Sequence, residues 1–149
     1  DGMGQLIVDT IHPTSCLEIG CAMGYLVTAL RKRGVDAYGI DISEYAISKV
    51  HSETAKFCQV YSALDGLPAY FPQRYDLVVC IEVAEHLSAD EGEILISKMC
   101  SYADKIIFSS TPDACCVSII FCATPRSACS KEKSLRNRSN SSFCMSMIS

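Results

Sequence analysis

Glu18, Gly20 and Gly24, in the segment LEIGCAMGYL at residues 17–26, form a pattern that chemistry can use. An acid two residues before a glycine, followed by small residues, leaves a loop whose backbone can approach a ligand closely, because no bulky side chain intervenes. Gly20 permits the turn out of an extended segment and Gly24 permits close approach at a helix start. The loop's N–H groups, with those of the first helical turn, are then expected to face the bound group. A second acid, Asp41, follows Gly20 by 21 residues. A carboxylate there can accept hydrogen bonds from both hydroxyls of a ribose, the logic of dinucleotide-type folds. Glu82, Glu85 and His86 make a third concentration of reactive side chains, in IEVAEHL at residues 81–87. Three readings stand for it. His86 can be a general base that takes a proton from a hydroxyl or amine acceptor. The three can together hold a divalent metal, or they can shape a pocket and cap the following loop.

These residues need elements to position them. Apolar spacing predicts a helix over Gly4–Ile11, ended by His12-Pro13. Cys16–Gly20 reads as a buried strand, and Gly24–Arg33 as a helix with basic residues in its last turn and Gly34 as its stop. Val35–Ile40 is a second strand closed by Asp41. Ser43 suits the N-cap of a helix to about His51, with Tyr45, Ala46, Ile47 and Val50 as its apolar face. Phe57–Tyr61 is a third strand and 62–74 a loop. Tyr75–Ile81 is apolar on both faces, as at the centre of a parallel sheet. Asp90–Tyr102 reads as an amphipathic helix with Ile94, Leu95, Ile96 and Met99 toward the sheet, and Lys105–Ser109 as a fifth strand. Strands alternating with helices and no hairpin signal imply an α/β fold with a doubly wound, mainly parallel sheet.

Composition narrows the class. The chain has 149 residues, is 49% hydrophobic and 20% charged, and carries a formal net charge of -4. That is one domain's worth of chain with a real core, and no basic field of the kind that nucleic-acid binding requires. No apolar run reaches the length of a membrane helix, and the N-terminus lacks the pattern of a signal peptide. Cys16, Cys21, Cys58, Cys80 and Cys100 lie scattered in apolar segments without CxxC pairs, which points to reduced thiols and a cytoplasmic location. None sits in a Cys/His nucleophile arrangement. The chain begins on Asp1 rather than Met, as a fragment or a trimmed chain does.

Residues 14–112 resemble the class I S-adenosylmethionine-dependent methyltransferases, through LEIGCAMGYL, YGIDIS, YDLVVCIEVAEHL and KIIFSSTP. The family's first motif is acid-x-Gly-x-Gly-x-Gly, and here Ala22 stands for the middle glycine. A nicotinamide-dependent dehydrogenase fits less well, since its GxGxxG is broken at Ala22 and Glu18 has no place in it. The resemblance implies a Rossmann-like fold and S-adenosylmethionine as cofactor. Glu18 would lie under the methionine moiety and orient its ammonium group. Gly20, Cys21, Ala22 and Gly24, with Tyr25 at the helix start, would form the cradle. Asp41 would take the ribose hydroxyls and Ile42 would pack on the adenine. Ser62 stands where the family often has an Asp that bonds the adenine amino group, with Ala63 beside it acting through its backbone. Cys80, Ile81 and Glu82 would line the methionine side. His86 is the catalytic candidate, and no metal is assigned. The spacing of Glu82, Glu85 and His86 also resembles that of methyltransferases acting on RNA terminal ribose or on quinone-precursor phenols, although the RNA-acting group uses a further downstream His that this chain lacks.

After Pro112 the pattern breaks off. Residues 113–149 carry five cysteines, runs of Ser, Lys, Arg and Asn, and a charge of +3 against -7 for residues 1–112. This divides the chain into a cofactor-binding domain at 1–112 and a poorly ordered tail at 113–149. The tail's cysteines are not spaced as zinc knuckles. Such an ending is what a truncated or frame-shifted C-terminus produces. The sheet is then expected to lack the family's last strands and to leave the fifth strand as a raw edge open to self-association. The expected function is O-methylation of a small-molecule acceptor, with no membrane and no nucleic acid as partner. The alternatives are a non-catalytic cofactor-binding remnant or partner-dependent subunit and, further off, metal-assisted methylation of RNA ribose.

Overall fold

A six-stranded sheet in the order β3-β2-β1-β4-β5-β6 organises the chain. The computed structural model describes residues 2–109 and, as backbone only, 118–121. The expectations for the rest of the tail and its cysteines lie outside these residues. Helix α1 (Gly2–Ile11) leads into β1 (Ser15–Ile19), α2 (Tyr25–Arg31), β2 (Asp36–Asp41), α3 (Glu44–Ser48) and β3 (Cys58–Val60). A loop then reaches β4 (Leu77–Ile81), a 3-10 turn at Ala84–His86, α4 (Ala89–Tyr102) and β5 (Lys105–Ser109). Strands β1 to β5 are all parallel, with Ile19 opposite both Ile40 and Cys80.

The fifth strand is not a raw edge. Strand β6 (Ser118–Phe121) pairs antiparallel with β5, Ile106 facing Ile120, and takes up its outer hydrogen bonds. The sequence conceals this strand because SIIF is four residues long and sits within a segment dominated by Ser, Cys and basic residues.

Both faces of the sheet are covered, as the unbroken apolar strands require. Alternate residues go to opposite sides. Cys16, Ala37, Leu77, Val79 and Ile107 pack against Ile7, Val27 and Leu30 of α1 and α2. Leu17, Ile19, Ile40, Val78, Cys80 and Ile106 pack against Leu95, Met99 and Tyr102 of α4, with Phe71 and Tyr75. Helix α4 buries positions 95, 99 and 102, one stripe at helical spacing. Ile94 and Ile96, expected to face the sheet, are each 46% exposed, since each stands about 100° round the helix from Leu95. Its start is fixed by a capping box, with Ser88 Oγ accepting from Glu91 N and the Glu91 carboxylate accepting from Ser88 N. Ser43 caps α3 as expected, accepting from Ala46 N at 3.2 Å, but the helix is short and Tyr45 points to solvent. No helix among the described residues is long and apolar enough to cross a membrane.

The strand order reverses between β1 and β4, where the loops after neighbouring strands leave in opposite directions and open a crevice at the C-terminal rim. Gly39 of β2 lets the next layer settle beside it. A Cβ there would lie 2.7 Å from Cys21 Cβ and Sγ and 2.9 Å from Val27 Cγ2. Gly39→Ala is therefore expected to lower stability by about 1–3 kcal/mol through overpacking, read as a reduced urea midpoint with an unchanged slope.

Candidate functional site

The loop between β1 and α2 is shaped by three left-handed residues: Gly20 (φ 78°), Ala22 (φ 45°) and Gly24 (φ 69°). Ala22, which replaces a glycine of the motif, keeps the glycine-like backbone at a cost of about 1–2 kcal/mol. Its environment enforces that choice. Ile40 O accepts from Gly20 N at 2.8 Å and Cys21 N at 3.1 Å, Asp41 Oδ2 accepts from Ala22 N at 2.8 Å, and Cys21 O accepts from Gly24 N at 2.7 Å. The expected cradle of free N–H donors is thus corrected. Four loop N–H groups are already used within the protein, and what the loop offers a ligand is a close-fitting surface. The start of α2 is held by Thr28 Oγ1, 2.8 Å from Gly24 O and sharing a second bond of 2.9 Å with buried Thr54 Oγ1. Sequence reading missed these two threonines, although a Thr four residues after Gly24 is placed to bond back to its carbonyl.

Asp41 ends β2 half-buried. Its Oδ1 accepts from Ser43 N at 2.8 Å, so one carboxylate ties the first loop to the cap of α3. Each oxygen keeps lone-pair capacity for a hydroxyl donor. Ile42 beside it is 77% exposed, an apolar surface at the rim, and Tyr25 at the start of α2 is 74% exposed. Ser62 stands just beyond β3, where Tyr61 N donates to Asp41 O, and its hydroxyl accepts from Leu64 N at 3.2 Å. That bond leaves the Ser62 O–H free to donate. Ala63 follows, half-buried.

Glu18 is the carboxyl that, among the described residues, has a buried oxygen without a hydrogen-bond partner. Val27 N–H donates to its carboxylate, but Oε2 is buried without a hydrogen-bond partner. Burial, reinforced by the neighbouring Cys58 and Asp41, pushes its pKa up from 4.5 to about 8. An unpaired oxygen of this kind is costly unless a donor or a cation meets it. This orphaned oxygen, one residue before the end of β1 and the glycine-flanked loop, is the feature that a ligand carrying a cationic donor would complete.

The residues after β4 form the other wall. Glu82 has φ 57°, a strained turn for a non-glycine residue, and it drives Val83 against Gly20, where an added Cβ would stand 2.4 Å from Val83 Cγ2. The two loops are thereby wedged together at the switch point. Ile81 is half-buried at the rim. Cys80 is the exception among the expected lining residues. Its side chain is fully buried in the core on the α4 side, its pKa raised to about 12 by burial and by Glu85, so only its backbone faces the crevice. Glu82, Glu85 and His86 are all exposed, and His86 ends the 3-10 turn, its N bonded to Val83 O. Among the described residues no three His, Cys, Asp or Glu side chains are grouped to hold a metal ion.

A cavity of about 330 Å³ lies at the opposite rim, lined by His12, Arg74, Asp76, Asp104 and Lys105 among others. Its acids are largely spoken for. Asp76 accepts from Thr14 N, Thr14 Oγ1 and Ser15 N, and Asp104 pairs with Arg74.

A family model described as a methyltransferase domain matches residues 6–141. Among curated proteins, magnesium-protoporphyrin O-methyltransferase of Synechocystis is 32% identical over 103 residues, covering 64% of this chain and 43% of that protein. Ubiquinone biosynthesis O-methyltransferase of Leptothrix cholodnii is 36% identical over 76 residues, covering 48% and 32%. The chain thus spans less than half the length of these relatives. Among solved structures, magnesium protoporphyrin IX methyltransferase of Synechocystis with bound SAM superposes with a TM-score of 0.56 at 23% identity, over 75% of this chain and 60% of that one.

The Glu18 carboxyl makes a stability signature. From about pH 4.5 upward the unfolded chain releases this proton while the folded chain holds it to about pH 8, so stability present below pH 4.5 is lost as pH rises through that window. The ligand-free protein should lose on the order of 2–4 kcal/mol across it, and Glu18→Gln should flatten the profile. Chemical denaturation at pH 5, 6.5 and 8 measures both, and a parallel fall in the variant would assign the loss elsewhere.

Proposed function

The chain belongs to the methyltransferase-domain family, and we propose that it binds S-adenosylmethionine in the β1/β4 crevice and methylates a hydroxyl of a small-molecule acceptor. The observation that carries this reading is Glu18 Oε2, buried and unpartnered one residue before the end of β1 and the glycine-flanked loop. An ammonium group is the donor such an oxygen lacks, and its arrival would favour the ionised carboxylate. Asp41, already fixed by two backbone N–H groups, suits the ribose hydroxyls, since a carboxylate that cannot swing away loses little freedom on binding. Ile42 offers an exposed apolar face to the adenine, and Ser62 keeps its O–H for a polar edge of it. Tyr25 and Ile81 stand at the same rim, with the backbone of Cys80 and Ala63.

When bound, S-adenosylmethionine supplies a sulfonium methyl group open to in-line attack by a nucleophile. The protein's part is alignment and exclusion of water, for which effective concentration is the main source of rate. The wedge of Val83 against Gly20 fixes the distance between the cofactor loop and the acceptor loop. His86, exposed beyond Glu82, is the base proposed to take the acceptor's hydroxyl proton. Hydroxyl acceptors are favoured because the curated relatives reported above are named O-methyltransferases. A partner-dependent subunit is the second reading, favoured by the exposure of Glu82, Glu85 and His86, which this chain alone leaves uncovered.

Titration calorimetry with S-adenosylmethionine and its demethylated product tests the pocket, and absence of binding would sink both readings. Asp41→Ala should weaken binding by about 1–3 kcal/mol. His86→Ala should leave that affinity unchanged while lowering kcat on a phenol or sugar acceptor by about 10²–10⁴-fold. Binding without turnover across a broad hydroxyl panel would favour the partner-dependent subunit.

A further inference from the structure

Cys21 and Cys58 meet under the cofactor loop. Cys58 stands opposite Gly39 in the parallel register of β2 and β3, so it lies one strand spacing, about 4.8 Å, from that residue and on the same face. Cys21 packs on the vacancy left by Gly39's missing side chain, its Cβ and Sγ both 2.7 Å from where a Cβ would stand. Gly24 closes the cluster, with a Cβ position 3.0 Å from Cys58 Sγ. The two sulfurs thus lie together beside two glycines, Gly39 and Gly24, with Cys21 Sγ also 4.0 Å from Ala22 O. Cys16 faces the same core but pairs with Ala37, two residues further down β2.

The surroundings make the two thiols unequal. Arg31 lays its guanidinium on the Phe57 ring, 3.2 Å from the centroid, next to Cys58. The Cys21 proton, with the Arg31 charge adding to it, holds the Cys58 thiol below its ordinary pKa, while Cys58 and then burial push Cys21 far up. A thiol with its pKa lowered beside a cation, with a second thiol next to it, is the arrangement of an oxidisable pair.

We propose that Cys21 and Cys58 are a redox modification site, converted by a small hydroperoxide into an intramolecular disulfide that pulls the cofactor loop out of its binding shape. The regulatory half of this rests on the cofactor reading above. The Cys58 sulfur, giving up its proton, attacks one peroxide oxygen and the O–O bond breaks. Cys58 becomes a sulfenic acid, and the released alkoxide or hydroxide takes a thiol proton. Cys21 sulfur then attacks Cys58 sulfur, forming the S–S bond and expelling the sulfenic oxygen as water with the second thiol proton. Two thiols lose two electrons, and the hydroperoxide is reduced to alcohol, or to water, plus one water. Both residues are at most 3% exposed, so the reaction suits a small oxidant and proceeds at the rate at which the loop opens. Drawing Cys21 toward β3 strains its bond to Ile40 O and that of its neighbour Ala22 to Asp41, two of the four bonds that shape the loop.

The test treats the reduced full chain with hydrogen peroxide, blocks remaining thiols, maps disulfides by peptide mass spectrometry, and titrates the product with S-adenosylhomocysteine. A Cys21–Cys58 linked peptide is expected, with affinity reduced about tenfold or more and regained after dithiothreitol. Cys58→Ala should bind when reduced and ignore peroxide. Both thiols recovered in blocked form after treatment, or a linked peptide with unchanged affinity, would overturn the proposal. A reduced chain that never binds overturns the cofactor reading instead, and the mass map still decides the disulfide.

Discussion

The end of β2 holds the site together. Ile40 O accepts from two successive loop residues, and Asp41 continues the ladder by accepting from a third and from Ser43 N. Parallel pairing between β1 and β2 is in effect prolonged beyond the last strand residue, with a side chain taking over where the backbone runs out. Ala22 can sit at φ 45° because these bonds fix the residues on either side of it. The glycine expected at that position is dispensable only in such a frame. Asp41 is therefore structural before any ligand arrives, and its readiness to bind follows from its having no freedom left to lose.

Glu18 shows the opposite economy. A carboxyl one residue before the end of β1, with one oxygen shut away from water and unpaired, destabilises the ligand-free fold. Folds retain such groups where a ligand relieves them, and local cost at a site is offset by the surrounding core. The unbroken apolar strands β1 and β4 supply that offset, since Leu17, Leu77, Val78 and Val79 are fully buried.

Much of the fold was legible in the sequence because its strands are buried on both faces and its helices are punctuated. Gly34 and Ser43 mark boundaries through turn and cap chemistry that needs no tertiary context, whereas the Ser88 capping box came from the structure. What stayed hidden depends on long-range packing. Ile94, Ile96 and Tyr45 look like core residues by hydropathy, yet the direction each faces is set by the helix stripe that meets the sheet. Strand β6 was invisible because its partner, not its own composition, defines it. In the site, Glu18, Gly20, Gly24 and Asp41 were readable from type and spacing. The use of the loop's N–H groups within the protein, the burial of Cys80 and the meeting of Cys21 with Cys58 across 37 residues of sequence were not, since each is a product of register.

The two rims of the sheet differ in how they are fastened. At the N-terminal rim Asp76 gathers Thr14 and Ser15 while Arg74 joins Asp104, so the entries to β1, β4 and β5 are laced together by side chains. Strand registry is settled there, away from every residue of the crevice. At the other rim the β1–α2 loop is itself tied to the end of β2, whereas Glu85 and His86 after β4 are exposed, and such positions are exchanged with least cost to the sheet. A scaffold so laced leaves the segment after β4 open to replacement while the loop anchored on β2 stays as it is.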